Sequence, residues 1–531
     1  MPLLRRETSV LGDGLYDVAV IGGGIAGACV AWDASLRGLR VILLDRGDFA
    51  GEASSNSLRV VHGGIRYLQT LNVHRARSSF RELTTWLRIA PHFVTPLRVV
   101  VPFRKGGTPP LVARAGAILA NQIARPEAAA AHLPPVELLG PAAAAEQIPG
   151  LDPSALTGGL AFDDGRLSFP DRLVLAIVKA AVAAGARAIN YAEVTGSMVR
   201  GNRIEALTVR DVTTGATGEL RARVVVNAAG GNLERVADRL APGMRSASAA
   251  FACSANITVP SLGPEVAFGL GRDRLFFFVP WRGHTTIGTS HYPVGDHPDP
   301  DEMVADLLRQ VNDVWPGPRL TQHDVLAVHQ GQVLARSAPH RPPRLAEQGF
   351  LARHPTIGNL LSVAPPKFTT ARATATLAVD RVRTMLGRGL PHGRTDTALL
   401  AARANETPAQ LRASIQARTG GRIPEDVLDY TMAAYGTEAE VVLDGAPRSP
   451  HGLDRVVPGA PVVRAHLDYA LTHEMAVTPD DILWRRTELG QRGLASPPTR
   501  RLVEGLFEAG TPASPIRVVP AADDPSRSCA F

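Results

Sequence analysis

Residues 16–46, YDVAVIGGGIAGACVAWDASLRGLRVILLDR, constrain the fold more than any other stretch of this chain. Residues 17–21 are a short Val- and Ile-rich run bounded by glycine, which predicts a buried parallel strand. Gly22, Gly24 and Gly27 follow in the spacing G-x-G-x-x-G, residues 26–37 carry apolar side chains at helical spacing, and residues 41–44 read as a second strand. Asp45 closes that strand about 20 residues after the glycines. Gly22 suits a tight turn, Gly24 lets backbone approach a pyrophosphate, and Gly27 lets helix and strand pack closely. The helix N-terminus offers N–H groups to phosphate charge, and Asp45 can accept from a ribose hydroxyl. The unit predicts a dinucleotide cradle. The other reading is a βαβ unit with a glycine-rich turn and no ligand.

The chain has 531 residues, enough for two or three domains around a large core. Its formal charge of +7 would favour anionic partners. No Lys/Arg run or aromatic-basic alternation points to nucleic acid. Cys29, Cys253 and Cys529 are far apart, odd in number and outside any CxxC pattern. That argues against a disulfide framework or a zinc site, so no metal is expected, and it suits a reducing cytoplasm. The start lacks the apolar region of a signal peptide. No stretch approaches the ~18 uninterrupted apolar residues of a membrane span. The expected location is cytoplasmic, with peripheral contact at the inner face of the membrane open to it.

Ser54, Ser55 and Ser57 lie just beyond the second strand, and His62-Gly63-Gly64 is a flexible turn with an imidazole at its edge. These residues suit either a backbone lying flat against a planar ring or a capped helix behind a turn. Residues 91–104, with repeated prolines, read as a crossing between domains. Residues 111–124 form an apolar helix, a core element by default or a surface helix dipping into lipid. Residues 170–184 read as an amphipathic helix beginning with Pro. Residues 191–200, 203–210 and 221–226 read as strands, the last running into Asn227-Ala228-Ala229-Gly230-Gly231. Residues 251–259 and 275–290 read as antiparallel strands, with a hairpin turn at Arg282-Gly283. Residues 367–386 form a long helix, and from about residue 391 the pattern is helical, ending in a loose tail over 512–531.

Six segments carry a family resemblance: YDVAVIGGGIAGA, SSNSLRVVHGGIRYL, VVVNAAGG, VPWRGHTTIGTS, KFTTAR and HLDYALTHEMAVTPDDILWRRTELG. In this order, from about Tyr16 to Gly490, the chain resembles the FAD-dependent glycerol-3-phosphate dehydrogenases of the D-amino-acid-oxidase-like flavoprotein group. The resemblance implies an α/β fold. Its parts are a Rossmann-like FAD-binding domain, an interleaved antiparallel-sheet substrate domain and an all-helical C-terminal domain. The expected boundaries are 1–95, 161–245 and 331–390 for the FAD domain, 96–160 for a cap segment and 246–330 for the substrate sheet. The helical domain spans 391–510 and the tail 511–531. FAD is implied at Gly22, Gly24, Ile25, Ala26, Gly27, Asp45 and Arg46, at Ser54, Ser55 and Ser57, and at His62, Gly63 and Gly64. Val194 on the adenine side, Ala228, Gly230, Lys367, Phe368 and Thr369 complete that set. His62, Arg59, Lys367, Arg353 and His291 are the implied catalytic residues. Among these, Arg59 stands near flavin and substrate, Arg353 near a substrate phosphate and Lys367 near the reactive edge of the flavin.

Three departures from the family pattern cluster near the expected substrate pocket. Val333 stands where an arginine of S-G-V-R-P-L belongs, with Arg336 three residues on. Pro365-Pro366 replaces Gly-Gly before Lys367, removing two N–H donors. His291 replaces an acidic residue after Gly288-Thr289-Ser290.

The implied reaction passes a hydride from a secondary alcohol carbon to flavin N5 while a base takes the hydroxyl proton. The implied substrate is glycerol 3-phosphate and the product dihydroxyacetone phosphate. His62 and His291 both fit the base by type, and both fit a hydrogen-bonded loop residue equally well. The same fold acting on another polyol phosphate, hydroxy or amine compound, or a catalytically silent FAD-binding protein, are the alternatives. Expected partners are a small-molecule substrate, quinone or oxygen as electron acceptor, a membrane surface and a second copy of the chain as a homodimer.

Overall fold

The first strand, Leu15–Ile21, lies between two parallel neighbours, Val41–Leu44 on one side and Thr217–Asn227 on the other. The computed structural model describes Leu4, Arg6 and residues 14–107, 109–244, 248–263, 265–271, 274–294, 299–338 and 341–508. The expected tail over 511–531 lies outside them. The sheet continues through Arg187–Ile189 at one edge and through Leu360–Ala364 to antiparallel Phe350–Arg353 at the other. Chain order therefore reverses on either side of the first strand. In an open parallel sheet that reversal leaves a crevice beyond the carboxyl ends of the strands, where ligands bind.

Alternation along the first strand builds two cores at once. Val18 and Val20 pack under the helices Ile25–Leu36, Pro170–Ala183 and Ala371–Leu386. Ala19 and Ile21 point the other way, into the apolar layer beneath the hairpin Ala192–Arg200 and Arg203–Asp211, which Tyr16 joins from the start of the strand. Both faces are buried, so the strand reads as a continuous apolar run.

A second sheet has ten strands drawn from distant parts of the chain. Phe251–Pro260, His284–Pro293 and Leu275–Trp281 form its centre, with Ala327–Ala338 beside the first of these. Val94–Arg104 and Leu156–Leu167 pair antiparallel over their whole length. The stretch expected to be a crossing at 91–104 is thus mostly strand. Pro96 and Pro102 forfeit only two N–H donors, and alternating Leu97, Val99 and Val101 supply an apolar face.

The C-terminal part packs helices such as Pro408–Thr419, Glu425–Tyr435 and Arg464–His473 around a core of their own. Its junction with the first sheet and its helices is ionic and buried. Arg172 grips Glu474 through both oxygens (2.5 and 2.8 Å), and Lys179 reaches Glu474 (2.8 Å) and Glu438 (2.7 Å). Burial alone would raise the Glu474 carboxyl. Arg172 and Lys179 outweigh it and hold it well below the usual carboxylate range.

Candidate functional site

The glycine turn is a place where backbone meets backbone. Gly22 has φ +105°, and a Cβ there would lie 2.6 Å from the Ala228 carbonyl oxygen. A Cβ on Gly27 would lie 1.8 Å from the Gly22 carbonyl oxygen. Neither position tolerates a side chain, so the helix starts against the strand end and leaves a groove beside it. Ser54 Oγ closes one side of that groove by accepting the Ile25 N–H (3.0 Å). Ala26 and Gly27 continue the first helical turn, whose N–H groups point along the axis without intrahelical partners.

Asp45 ends the second strand, as its spacing predicts. Its carboxylate accepts the N–H groups of Gly23 (2.5 Å) and Gly47 (2.8 Å), and burial raises its pKa to about 6 against those two donors. Arg46 turns outward to Glu52 (2.9 Å). Ser55 is buried, with its hydroxyl donating to Glu52 O (3.3 Å), and Ser57 Oγ accepts the Arg59 N–H (3.3 Å). Val194 lies buried two residues beyond Ala192, whose N–H donates to the Asp45 carbonyl (2.6 Å). Gly230, with φ +55°, follows Ala228 where the third chain segment reaches the groove.

The second half of the site assembles around His62. Its Nδ1 lies 2.8 Å from Asp164 Oδ2, while Asp164 Oδ1 accepts the Gly63 N–H (2.7 Å). A carboxylate accepts, so Nδ1 is the donor to Asp164, and in the neutral ring Nε2 is then the acceptor. The His62 N–H donates to Thr369 Oγ1 (3.0 Å), and the Thr369 carbonyl accepts from Trp86 Nε1 (2.9 Å). Gly64, φ +84°, opens the turn Ile65–Thr70. The His62 ring stands 5.3 Å from that of Phe277 on the second sheet. Lys367 Nζ donates to Ser79 Oγ (3.0 Å) and lies 4.9 Å from the Tyr67 ring centre. Burial lowers the Lys367 pKa to about 8; Asp164 opposes the shift, and Arg75 and Arg66 add to it. The expected helix from 367 begins later: Lys367 is extended, Phe368–Thr370 is a 3-10 turn, and the α-helix is Ala371–Leu386. Phe368 packs at the edge of this turn, 6.4 Å from Trp86.

Three expected residues are placed otherwise. Arg59 is fully buried, stacks 3.8 Å over Trp281, and donates to Ser168 O (3.1 Å) and to Gln491 Oε1. Desolvation brings its pKa down to about 10, against the charges of Asp171 and Glu488. It ties the loop before His62 to the C-terminal block. Arg353 is exposed and donates to Gly358 O (2.8 Å); it pairs with Leu361, near the amino end of a parallel strand and opposite the crevice. His291 contacts Arg274 through Nδ1, and burial together with the charges of Arg274 and Arg66 pushes its pKa down to about 3. A group that resists protonation so strongly is a poor base.

Asp164 is not among the expected site residues. The signal was Asp163-Asp164 inside the apolar strand Leu156–Leu167, because an acid buried there needs a partner.

The family described as FAD dependent oxidoreductase matches residues 17–381. The chain belongs to that family. Residues 395–494 match the C-terminal domain of alpha-glycerophosphate oxidase. Glycerol-3-phosphate dehydrogenase 1 of Mycobacterium tuberculosis is 32% identical over 509 residues, covering 91% of this chain and 93% of the relative. Glycerol-3-phosphate dehydrogenase of Synechocystis is 28% identical over 496 residues, covering 89% of both chains. The fold resembles that of the Bacillus halodurans glycerol-3-phosphate dehydrogenase complexed with FAD, with a TM-score of 0.71 at 24% identity, covering 95% and 96% of the two chains.

This member of the family is an oxidoreductase and its cofactor is FAD. The groove at Gly22, Gly24 and Gly27 fits such a group, because backbone lines it where any Cβ would fill it. A Gly24 Cβ would approach Ser54 Oγ to 2.9 Å. Gly24→Ala is expected to push Ser54 off the helix start and empty the groove of FAD. The purified variant should show a lower flavin-to-protein absorbance ratio than the parent, with unchanged far-ultraviolet circular dichroism.

Proposed function

We propose that the protein oxidises the secondary alcohol of glycerol 3-phosphate to the ketone of dihydroxyacetone phosphate. One observation carries the base assignment: Asp164 holds the Nδ1 edge of His62, which leaves Nε2 as the edge able to take a proton, in a residue set against Gly63, Thr369 and Phe277. The extensive likeness to dehydrogenases of that name supports the substrate. The diphosphate of FAD is assigned to the helix start at Ile25–Gly27, Ser54 and the Ala228–Gly230 backbone. Asp45 is assigned to the ribose side.

FAD, when bound, accepts the hydride that leaves the carbinol carbon. His62 Nε2 takes the hydroxyl proton, so two electrons and two hydrogens leave the substrate. Asp164 stabilises the imidazolium that results and keeps the ring from turning. Lys367 holds a cation at neutral pH ahead of the helix Ala371–Leu386, whose amino end carries partial positive charge. Both favour an anion in the pocket.

The electron acceptor in this reading is a membrane quinone. A cavity of about 440 Å³, largely apolar, lies beside Gly63 and Asp164 and is walled by Phe80, Ile123, Leu133 and Phe162. The helix Pro110–Ala130 that borders it exposes Leu111, Val112 and Ile118. Arg114 on the same helix and Arg104 and Lys105 just before it are exposed cations suited to anionic headgroups. Among the described residues no helix is long and apolar enough to cross a membrane, so contact would be peripheral.

Anaerobic glycerol 3-phosphate should bleach the flavin; a spectrum unchanged by it would overturn the substrate. Asp164→Asn should slow that bleaching on the order of 10²–10⁴-fold, because the amide lets His62 adopt the wrong tautomer. Lys367 is cationic below its pKa of about 8 and neutral above it. The kcat/KM of the free enzyme should therefore fall as pH rises past about 8, and Lys367→Arg should carry activity to higher pH. Reduced enzyme mixed with a short-chain quinone in detergent should reoxidise faster than in air-saturated buffer. Faster reoxidation by oxygen would rule out the quinone assignment.

A further inference from the structure

The His62 side of the second sheet holds cations that, among the described residues, form no ion pair with a carboxylate. Arg274 stands at the entry to the strand Leu275–Trp281, whose Phe277 touches His62. Arg66 follows His62 by four residues in the turn Ile65–Thr70. The charge of the exposed Arg66 is felt at Arg274, His291 and Lys367. Among the described residues, no carboxylate lies within ion-pairing distance of Arg66, Arg274 or Lys367; Arg274 meets His291 and the Phe276 ring, and Lys367 meets Ser79 and the Tyr67 ring.

His291 and Val333 flank the same strand. His291 pairs with Ser254 and Val333 with Ala252, two residues apart on Phe251–Pro260. Period-two alternation puts both on one face. It is the face of Gly331, whose Cβ would meet Ala53 in the loop beside the FAD groove at 2.5 Å. Tyr292, one residue on, faces away and donates to Asp306 (3.0 Å). A guanidinium only donates, so His291 Nδ1 accepts from Arg274 and the ring is neutral. A carboxylate at 291 would cancel the charge of Arg274; a neutral imidazole orients the guanidinium and leaves its charge and remaining N–H groups for a ligand. Losing an acid at 291 and an arginine at 333 keeps the net charge of the pocket constant.

We propose that Arg274, oriented by His291 and joined by Arg66, grips the phosphate end of the substrate in this chain, in place of a cation on the strand Ala327–Ala338. This rests on the reading of the substrate as a small phosphate monoester. A planar donor fork matches phosphate oxygens, which lysine or a distant arginine does not.

The test uses the FAD-loaded enzyme and two probes, inorganic phosphate followed by calorimetry and glycerol 3-phosphate followed by anaerobic bleaching. Arg274→Met should weaken phosphate binding and raise the substrate concentration for half-maximal bleaching by about tenfold or more, with the limiting rate within about threefold. His291→Asp should do the same by pairing with Arg274, and should add little in the double variant with Arg274→Met. Arg353→Met should match the parent in both assays. Phosphate binding by Arg274→Met equal to the parent, or no phosphate binding by either, would overturn the proposal. Phosphate bound through Arg274 in an enzyme that glycerol 3-phosphate does not bleach would instead overturn the substrate and leave the anion site standing.

Discussion

Everything downstream depends on the contact between bare backbone at Gly22, Gly27 and Ala228. The three segments meet without side chains, with a Gly27 Cβ position only 1.8 Å from the Gly22 carbonyl oxygen. That closeness pins the helix start to the switch point of the sheet. It also sets where the following loop, through Ser54 and on to His62, must run. A single methyl group at either glycine would displace the helix from the strand before any ligand arrived.

From that anchor the site is built by long-range hydrogen bonds. His62 is held by Asp164, about a hundred residues later in the chain, and by Thr369, some three hundred later. One carboxylate fixes both the imidazole and the adjoining Gly63 N–H, so the base and the turn that carries it move together. The opposite wall has the complementary character. Arg274 and Lys367 carry positive charge that burial makes costly to leave unmatched, with the exposed Arg66 adding to it. A site with one oriented acceptor nitrogen and an unneutralised cationic wall suits an anionic alcohol. In the proposed reaction the acceptor would take the proton and the cations would take the charge.

The helical C-terminal block is more than an appendage to this arrangement. Arg59 from the loop before His62 ends on Gln491, and Asp48 just after Asp45 is clamped by Arg486 at 2.6 and 2.8 Å. Both ends of the cofactor loop are thus tied to residues more than 400 positions away. A buried arginine two residues from Ser57 thereby serves the loop. Its guanidinium finds a ring, a carbonyl and an amide inside the junction, and turning into the pocket would abandon all three.

By itself the sequence determined the βαβ unit, the glycine turn, Asp45 at the strand end, the Arg282-Gly283 hairpin and the helical character of the last third. These are local patterns, written in residues a few positions apart, and the backbone obeys them without distant help. The direction of Arg59, the distance of Arg353 from the crevice, the neutrality of His291 and the Asp164–His62 pair were decided only by the tertiary structure. Each depends on neighbours tens to hundreds of residues away, because a side chain points where buried partners satisfy it, and periodicity does not encode those partners.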